Sequence, residues 1–312
     1  MAGRGSLRRR FGMARVYAAP PLPQSPNCMT KPTHRQAIIL GLGYTGRAIA
    51  EALLAGGWQV AATARTAPRM AGVRGLAFDG TAHPELQDAL SGADLVIGSI
   101  PPSRDGRDPA LDRLTLPPAT VIYLSATSVY GDRDGQWAFE GEPPTPTSTR
   151  GRRRADAELQ WWEAGAEAGA ATHILRLAGI YGPTLGGEAR SAFGKMERAV
   201  LKPGHTVNRI HVRDIARLVL RIAAGPRPGL YNVADGRPSP PEEVVRAAAR
   251  IAGAPAPREI GWQSPELSPM ARSFYAETKR IDISHTRATF GWEPLHTDVE
   301  AALRAIWAER SV

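Results

Sequence analysis

The sequence predicts an α/β protein, a doubly wound parallel sheet with a smaller C-terminal α/β lobe. Three observations predict it. Short apolar runs alternate with helical stretches through the first 180 residues, and strands spaced by such helices pair in parallel through right-handed crossovers. A glycine-rich turn, Gly41-Leu42-Gly43-Tyr44-Thr45-Gly46, stands between the first strand and the first helix. Beyond residue 180 the alternation loosens, and proline-rich links such as Pro226–Pro228 and Pro238–Pro241 take over.

Ala37–Leu40 reads as a short apolar strand and Arg47–Ala55 as a helix closed by Gly56-Gly57, glycine being the residue that most readily turns a chain out of a helix. Trp58–Ala64 and Gly75–Phe78 are the second and third strands, Pro84–Leu90 a helix. Asp94–Ile100 is the fourth strand, stopped by Pro101-Pro102, since proline cannot donate to a sheet ladder. Ala119–Ser125 is the fifth strand, Asp156–Gly165 a helix and His173–Leu177 the sixth strand. In the second lobe Ile210–Ala224 is an amphipathic helix, Gly229–Val233 a strand, and Pro241–Ala252 and Asp298–Glu309 helices. Trp161-Trp162 predicts one core ring and one partly exposed ring.

The chain has 312 residues, 43% of them hydrophobic, enough for one large or two modest cores. No apolar run approaches the ~18 residues of a membrane span. The formal charge of +9 suggests nucleic acid until its distribution is read. Arg4, Arg8, Arg9, Arg10, Arg15, Lys31 and Arg35 lie in an acid-free opening segment, so nine less seven leaves +2 for the body. A nearly neutral body argues against a nucleic-acid partner. Residues 1–34 are expected to be a disordered tail or to precede a start at Met13 or Met29, with a targeting peptide as the third reading. The single cysteine, Cys28, lies in that segment. The seven histidines show no metal-ligand spacing. A cytoplasmic protein acting on a small molecule, with no metal, is the expectation.

The glycine turn is a G-x-G-x-x-G in the context that gives the pattern meaning, leaving a strand and opening a helix. Gly41 permits the tight turn, Gly43 lets backbone approach a pyrophosphate, and Gly46 lets helix and strand pack closely. The free N–H groups at the helix start, among them those of Tyr44 and Thr45, then face phosphate. This makes 35–180 a Rossmann domain for a dinucleotide and 181–312 a smaller substrate lobe, partly interleaved with it. A site for NAD would end strand two with an acid on the ribose 2′-hydroxyl. Here the run is Ala61-Ala62-Thr63-Ala64-Arg65-Thr66, and a guanidinium suits a 2′-phosphate. Arg65 therefore predicts NADP in preference to NAD.

Later segments resemble the extended short-chain dehydrogenase/reductase family, in family order across about residues 37–312. Tyr123-Leu124-Ser125-Ala126-Thr127-Ser128-Val129-Tyr130-Gly131 is similar to its "S-S-x-x-V-Y-G", Arg176 to Pro183 to its "R-x-x-x-I-Y-G-P", Ile210 to Asp214 to its "I-H-V-x-D", and Tyr231-Asn232-Val233 to its "Y-N-V". The finer resemblance is to an atypical, NAD-dependent epimerase/dehydratase-like branch. It rests on Tyr130-Gly131-Asp132, Gly135-Gln136-Trp137 with Glu140, and Arg150-Gly151-Arg152-Arg153-Arg154 running to Ala157-Glu158.

The resemblance implies a Tyr-x-x-x-Lys pair, the Tyr exchanging a proton while hydride moves and the Lys holding the nicotinamide ribose. Counting back from Glu158, this chain has Arg150 at the Tyr position and Arg154 at the Lys position, with Ala126 at the auxiliary Ser/Thr. Arginine stays charged and is a poor acid/base, so Arg150 cannot replace the Tyr, whereas Arg154 could hold the ribose. Ser125 joins the implied cofactor set. Thr127 and Tyr130 are the substitute catalytic candidates, with Tyr181 near them and a packing role the alternative for Tyr130. An NADP-dependent oxidoreductase or epimerase/dehydratase-like enzyme is implied, and a non-catalytic NADP-binding sensor or assembly protein is the rival. Sugar-nucleotide members carry an Arg on the diphosphate where this chain has Val207. Arg209 is expected to point elsewhere, and His211 and Asp214 to anchor a helix start.

Overall fold

The computed structural model describes residues 35–81, 83–185, 188–190, 192–194 and 196–310. The expectations for residues 1–34 and Cys28 lie outside the described residues. The strands are β1 (Gln36–Leu40), β2 (Gln59–Ala64), β3 (Val73–Ala77), β4 (Leu95–Gly98), β5 (Thr120–Ala126), β6 (Trp137–Ala138), β7 (Ala171–Leu177), β8 (Gly179–Leu185), β9 (Glu188–Arg190), β10 (Arg198–Leu201), β11 (Arg209–His211), β12 (Gly229–Val233), β13 (Arg258–Gly261) and β14 (Arg280–Ile281). The helices are α1 (Tyr44–Ala55), α2 (Pro84–Ser91), α3 (Thr149–Glu167), α4 (Val212–Ala224), α5 (Pro241–Ala252), α6 (Pro269–Ser273), α7 (Ser284–Phe290) and α8 (Val299–Glu309).

Seven strands form one sheet in the order β12-β7-β5-β4-β1-β2-β3, and every pairing in it is parallel. A parallel sheet needs both faces covered, and the apolar residues of β1 divide accordingly. Ala37 and Ile39 join the core shared with Ile49 and Leu53 of α1 and Val219 and Ile222 of α4. Ile38 and Leu40 join the opposite core, with Leu86 and Leu90 of α2 and Trp161 of α3. From β1 the chain runs outward through β2 and β3, then returns to β4 on the other side of β1. The crevice between the carboxyl ends of β1 and β4 is thus the switch point, where open α/β sheets bind ligands. Among the described residues no helix is long and apolar enough to cross a membrane.

Several boundaries differ from the sequence reading. Helix α3 starts at Thr149 rather than Asp156, with the Ser148 side chain accepting from Gly151 N. Its arginine-rich first turns carry no apolar stripe, so periodicity misses them. The segment read as helix from Ile210 opens as β11, and α4 begins at Val212 with His211 Nδ1 accepting from Arg213 N. Strand β12 pairs with β7 as the outer strand of the main sheet, although it lies beyond residue 180. Both Trp161 and Trp162 are buried, because α3 packs along its length on the sheet and the loop after β4, where Trp161 Nε1 donates to Asp108. A separate small core gathers Tyr181, Phe193, Ala248, Leu303 and Ile306 between β8, α5 and α8.

Candidate functional site

The glycine turn sits at the switch point. Gly41 has φ +102°, a conformation open to glycine, and a Cβ there would press on Ile100 just after β4. A Cβ on Gly46 would lie 2.6 Å from the Gly41 carbonyl oxygen, so only glycine lets α1 start this close to β1. A Cβ on Gly43 would meet nothing within 4 Å, so no contact within the described fold requires glycine there. Gly43 caps α1 with no side-chain acceptor, and no acid lies in the first turn. Uncapped N–H groups and an uncompensated helix dipole favour an anion at a helix start. The side chains of Tyr44 and Thr45 are buried, and the Tyr44 hydroxyl donates to Pro183 O at 2.9 Å. Both side chains are thus taken up within the fold.

The loop is tied to the end of β2. Gly41 N donates to Thr63 Oγ1 at 3.0 Å and Leu42 N to Thr63 O at 2.6 Å. Arg65 follows two residues on, exposed and with no polar partner among the described residues. Arg154, half-buried on α3, donates through Nη1 to the Tyr123 hydroxyl (2.7 Å) and to Leu124 O (3.1 Å). It thereby stands over the carboxyl end of β5, on the same sheet edge as the glycine turn. Arg150 is exposed on the first turn of α3.

The other candidates belong to the interior. The Ser125 hydroxyl donates to Glu158 at 2.5 Å. Glu158 also holds Arg176 through Nε and Nη2, the latter at 2.8 Å, with both side chains fully buried. Arg176 lies over the Tyr130 ring at 4.8 Å, and the Tyr130 hydroxyl donates to Asn232 Oδ1 at 2.8 Å. Burial pushes the Tyr130 phenol up to about 12, which makes it a poor proton donor near neutrality, and its hydrogen bond ties the turn after β5 to β12. Tyr181 is likewise raised by burial and donates to His296 O. Thr127 is half-buried, and its hydroxyl has no partner among the described residues. Sequence reading used Glu158 only as a motif marker. Its ion pair with Arg176 joins residues 18 apart in sequence, and a buried acid facing a buried base in two family motifs was the available signal.

His211 and Asp214 do anchor the start of α4. Asp214 accepts from Leu295 N, His296 N and His296 Nδ1, clamping the segment before α8. Arg209 corrects its expectation. It does not point away from Val207: both line one cavity of about 270 Å³ beside Tyr181, because residues two apart in an extended segment share a face.

Comparison with known proteins accords with this geometry. Residues 110–234 match the model of the NAD dependent epimerase/dehydratase family. Protein YeeZ of Escherichia coli (strain K12) is 31% identical over 224 residues, spanning 64% of this chain and 77% of that protein. A functionally unknown conserved protein from Silicibacter pomeroyi DSS is 35% identical, with a TM-score of 0.77 over 89% of this chain and 100% of its own. The fold is also that of dTDP-glucose 4,6-dehydratase from Bacillus anthracis str. Ames in complex with NAD, with a TM-score of 0.70 at 13% identity over 88% of this chain and 97% of that one. This chain belongs to the NAD dependent epimerase/dehydratase family.

Proposed function

We propose that the protein binds NADP at the turn between β1 and α1 and acts as an oxidoreductase or epimerase-like enzyme on a small molecule. The observation that carries the reading is the open, uncapped start of α1 beside an unpaired Arg65. A bound nicotinamide supplies or accepts hydride. Gly41, Gly43 and Gly46 shape the turn, and the N–H groups that open α1 receive the pyrophosphate. Arg65 pairs with the 2′-phosphate in a charge-assisted fork. Arg154 retains N–H groups beyond those given to Tyr123 and Leu124, and these would hold the nicotinamide ribose. Ser125 acts as a positioning residue, because its hydroxyl is given to Glu158. Thr127 is the hydroxyl left to orient a substrate oxygen.

A second reading, cofactor binding without turnover, is favoured by the burial of Tyr130 and by Arg150 standing where a proton-exchanging Tyr is expected. It holds if no member of an aldehyde and ketone panel drives NADPH oxidation. The main reading is tested by calorimetric titration of wild type and Arg65→Ala with NADPH and NADH. Wild type binds NADPH more tightly, and the substitution removes about 1.5–3 kcal/mol from NADPH alone. Preference for NADH, or equal weakening of both, contradicts it.

A further inference from the structure

We propose that the cavity beside Tyr181 binds a compact organic anion and that Arg209 is the group that recognises its charge. The proposal deepens the reading above, since it names the class of molecule placed near the nicotinamide. The cavity lies beyond the carboxyl end of β7, on the sheet edge that carries the glycine turn, and its floor is Ile180 and Tyr181. Val207, Val299 and Leu303 make its walls apolar. Arg209 is its one charged lining residue among the described residues, and that side chain is 8% exposed.

Arg209 Nη1 donates to Ser239 Oγ at 2.7 Å and Nη2 to Pro240 O at 3.4 Å, using two of five N–H groups. No carboxylate lies within 4.0 Å of it among the described residues. Asp235, Glu243 and Glu242 act on it only from a distance, and none of them lines the cavity. Asp235 is occupied with Arg237 N, and the two glutamates sit in the first turn of α5. A buried guanidinium with no carboxylate in contact is costly, and an anionic ligand in the cavity offsets that cost. The apolar walls select a hydrophobic body. At about 270 Å³ the space lies at the lower end of the ~300–1,000 Å³ range of small-molecule sites, which favours a compact ligand.

The test titrates wild type, Arg209→Gln and Val299→Trp with benzoate, phenyl phosphate, benzyl alcohol and UDP-glucose. Wild type binds one or both anions with a Kd near or below about 1 mM and benzyl alcohol at least about tenfold more weakly. Whichever anion binds tighter separates carboxylate from phosphate as the natural head group. Arg209→Gln abolishes the difference between anion and alcohol. Val299→Trp fills the cavity without touching the arginine and abolishes binding of all, so it carries the test if the first variant fails to fold. Both variants that fold retain wild-type NADPH affinity. Equal binding of benzoate and benzyl alcohol, tight UDP-glucose binding, or no probe bound by wild type overturns the proposal. Loss of the NADP reading shows separately, as failure of wild type to bind NADPH.

Discussion

Replacing Glu158 by Ala removes the only carboxylate paired with Arg176 among the described residues, in a pair with both side chains fully buried. Arg176 Nη1 already lacks a hydrogen-bond partner, so the orphaned guanidinium has little to fall back on. Breaking a buried pair from one side costs about 3–5 kcal/mol, and the stranded Ser125 hydroxyl adds about 1 kcal/mol. The single variant is therefore expected to lose about 4–6 kcal/mol. At roughly 2 °C per kcal/mol for a chain of this size, Tm falls by about 8–12 °C. Urea unfolding monitored by circular dichroism measures the loss directly. The double variant Glu158→Leu with Arg176→Met recovers most of it, because apolar side chains of similar volume carry no desolvation cost. The reasoning is refuted if Glu158→Ala costs less than about 1 kcal/mol, or if the double variant is as unstable as the two single changes summed.

Tyr130→Phe loses one buried hydrogen bond to Asn232 and is expected to cost about 0.5–1.5 kcal/mol, with NADPH affinity unchanged; a large loss of cofactor binding in titration would restore Tyr130 to the site. The fold also resists acid poorly at His173, which is fully buried with Nδ1 against Val121 O and Nε2 accepting from Arg227 N. Burial lowers its pKa from 6.5 to about 4. The folded state thus binds fewer protons than the unfolded chain between these values, and stability falls as pH drops from about 6.5 to about 4, by about 3 kcal/mol from this group. Denaturant titration across that window checks it, and a flat stability profile contradicts it.

The sheet was legible because its strands are apolar on both faces and its turns are marked by glycine and proline, as at Gly56-Gly57 and Pro101-Pro102. The helix ends and the second lobe were less so. The seven residues that open α3, four of them arginine, carry no apolar stripe behind the single cap at Ser148, and β9 to β11 are short, with no alternating pattern long enough to count. The position of the glycine turn at the end of β1 and of Arg65 after β2 could be read locally, since both follow from backbone freedom and the strand pattern. Ser125 and Tyr130 could not. Whether a hydroxyl meets a ligand or a buried partner depends on Glu158 and Asn232, 33 and 102 residues away. Arg209 was misread because the alternation of an extended segment was misapplied: residues two apart share a wall, and Arg209 lines the same cavity as Val207.

The account stands most directly on Gly43, whose missing side chain leaves room that no protein atom fills. Gly43 has φ −85°, so another residue fits its backbone, and Gly43→Val is expected to cost less than about 1 kcal/mol of stability. NADPH fluorescence titration of this variant against wild type is the measurement. The account predicts an unchanged fold by circular dichroism and an affinity for NADPH lowered at least about 100-fold, because the valine occupies the path of the pyrophosphate. A folded Gly43→Val that binds NADPH as wild type does would contradict it.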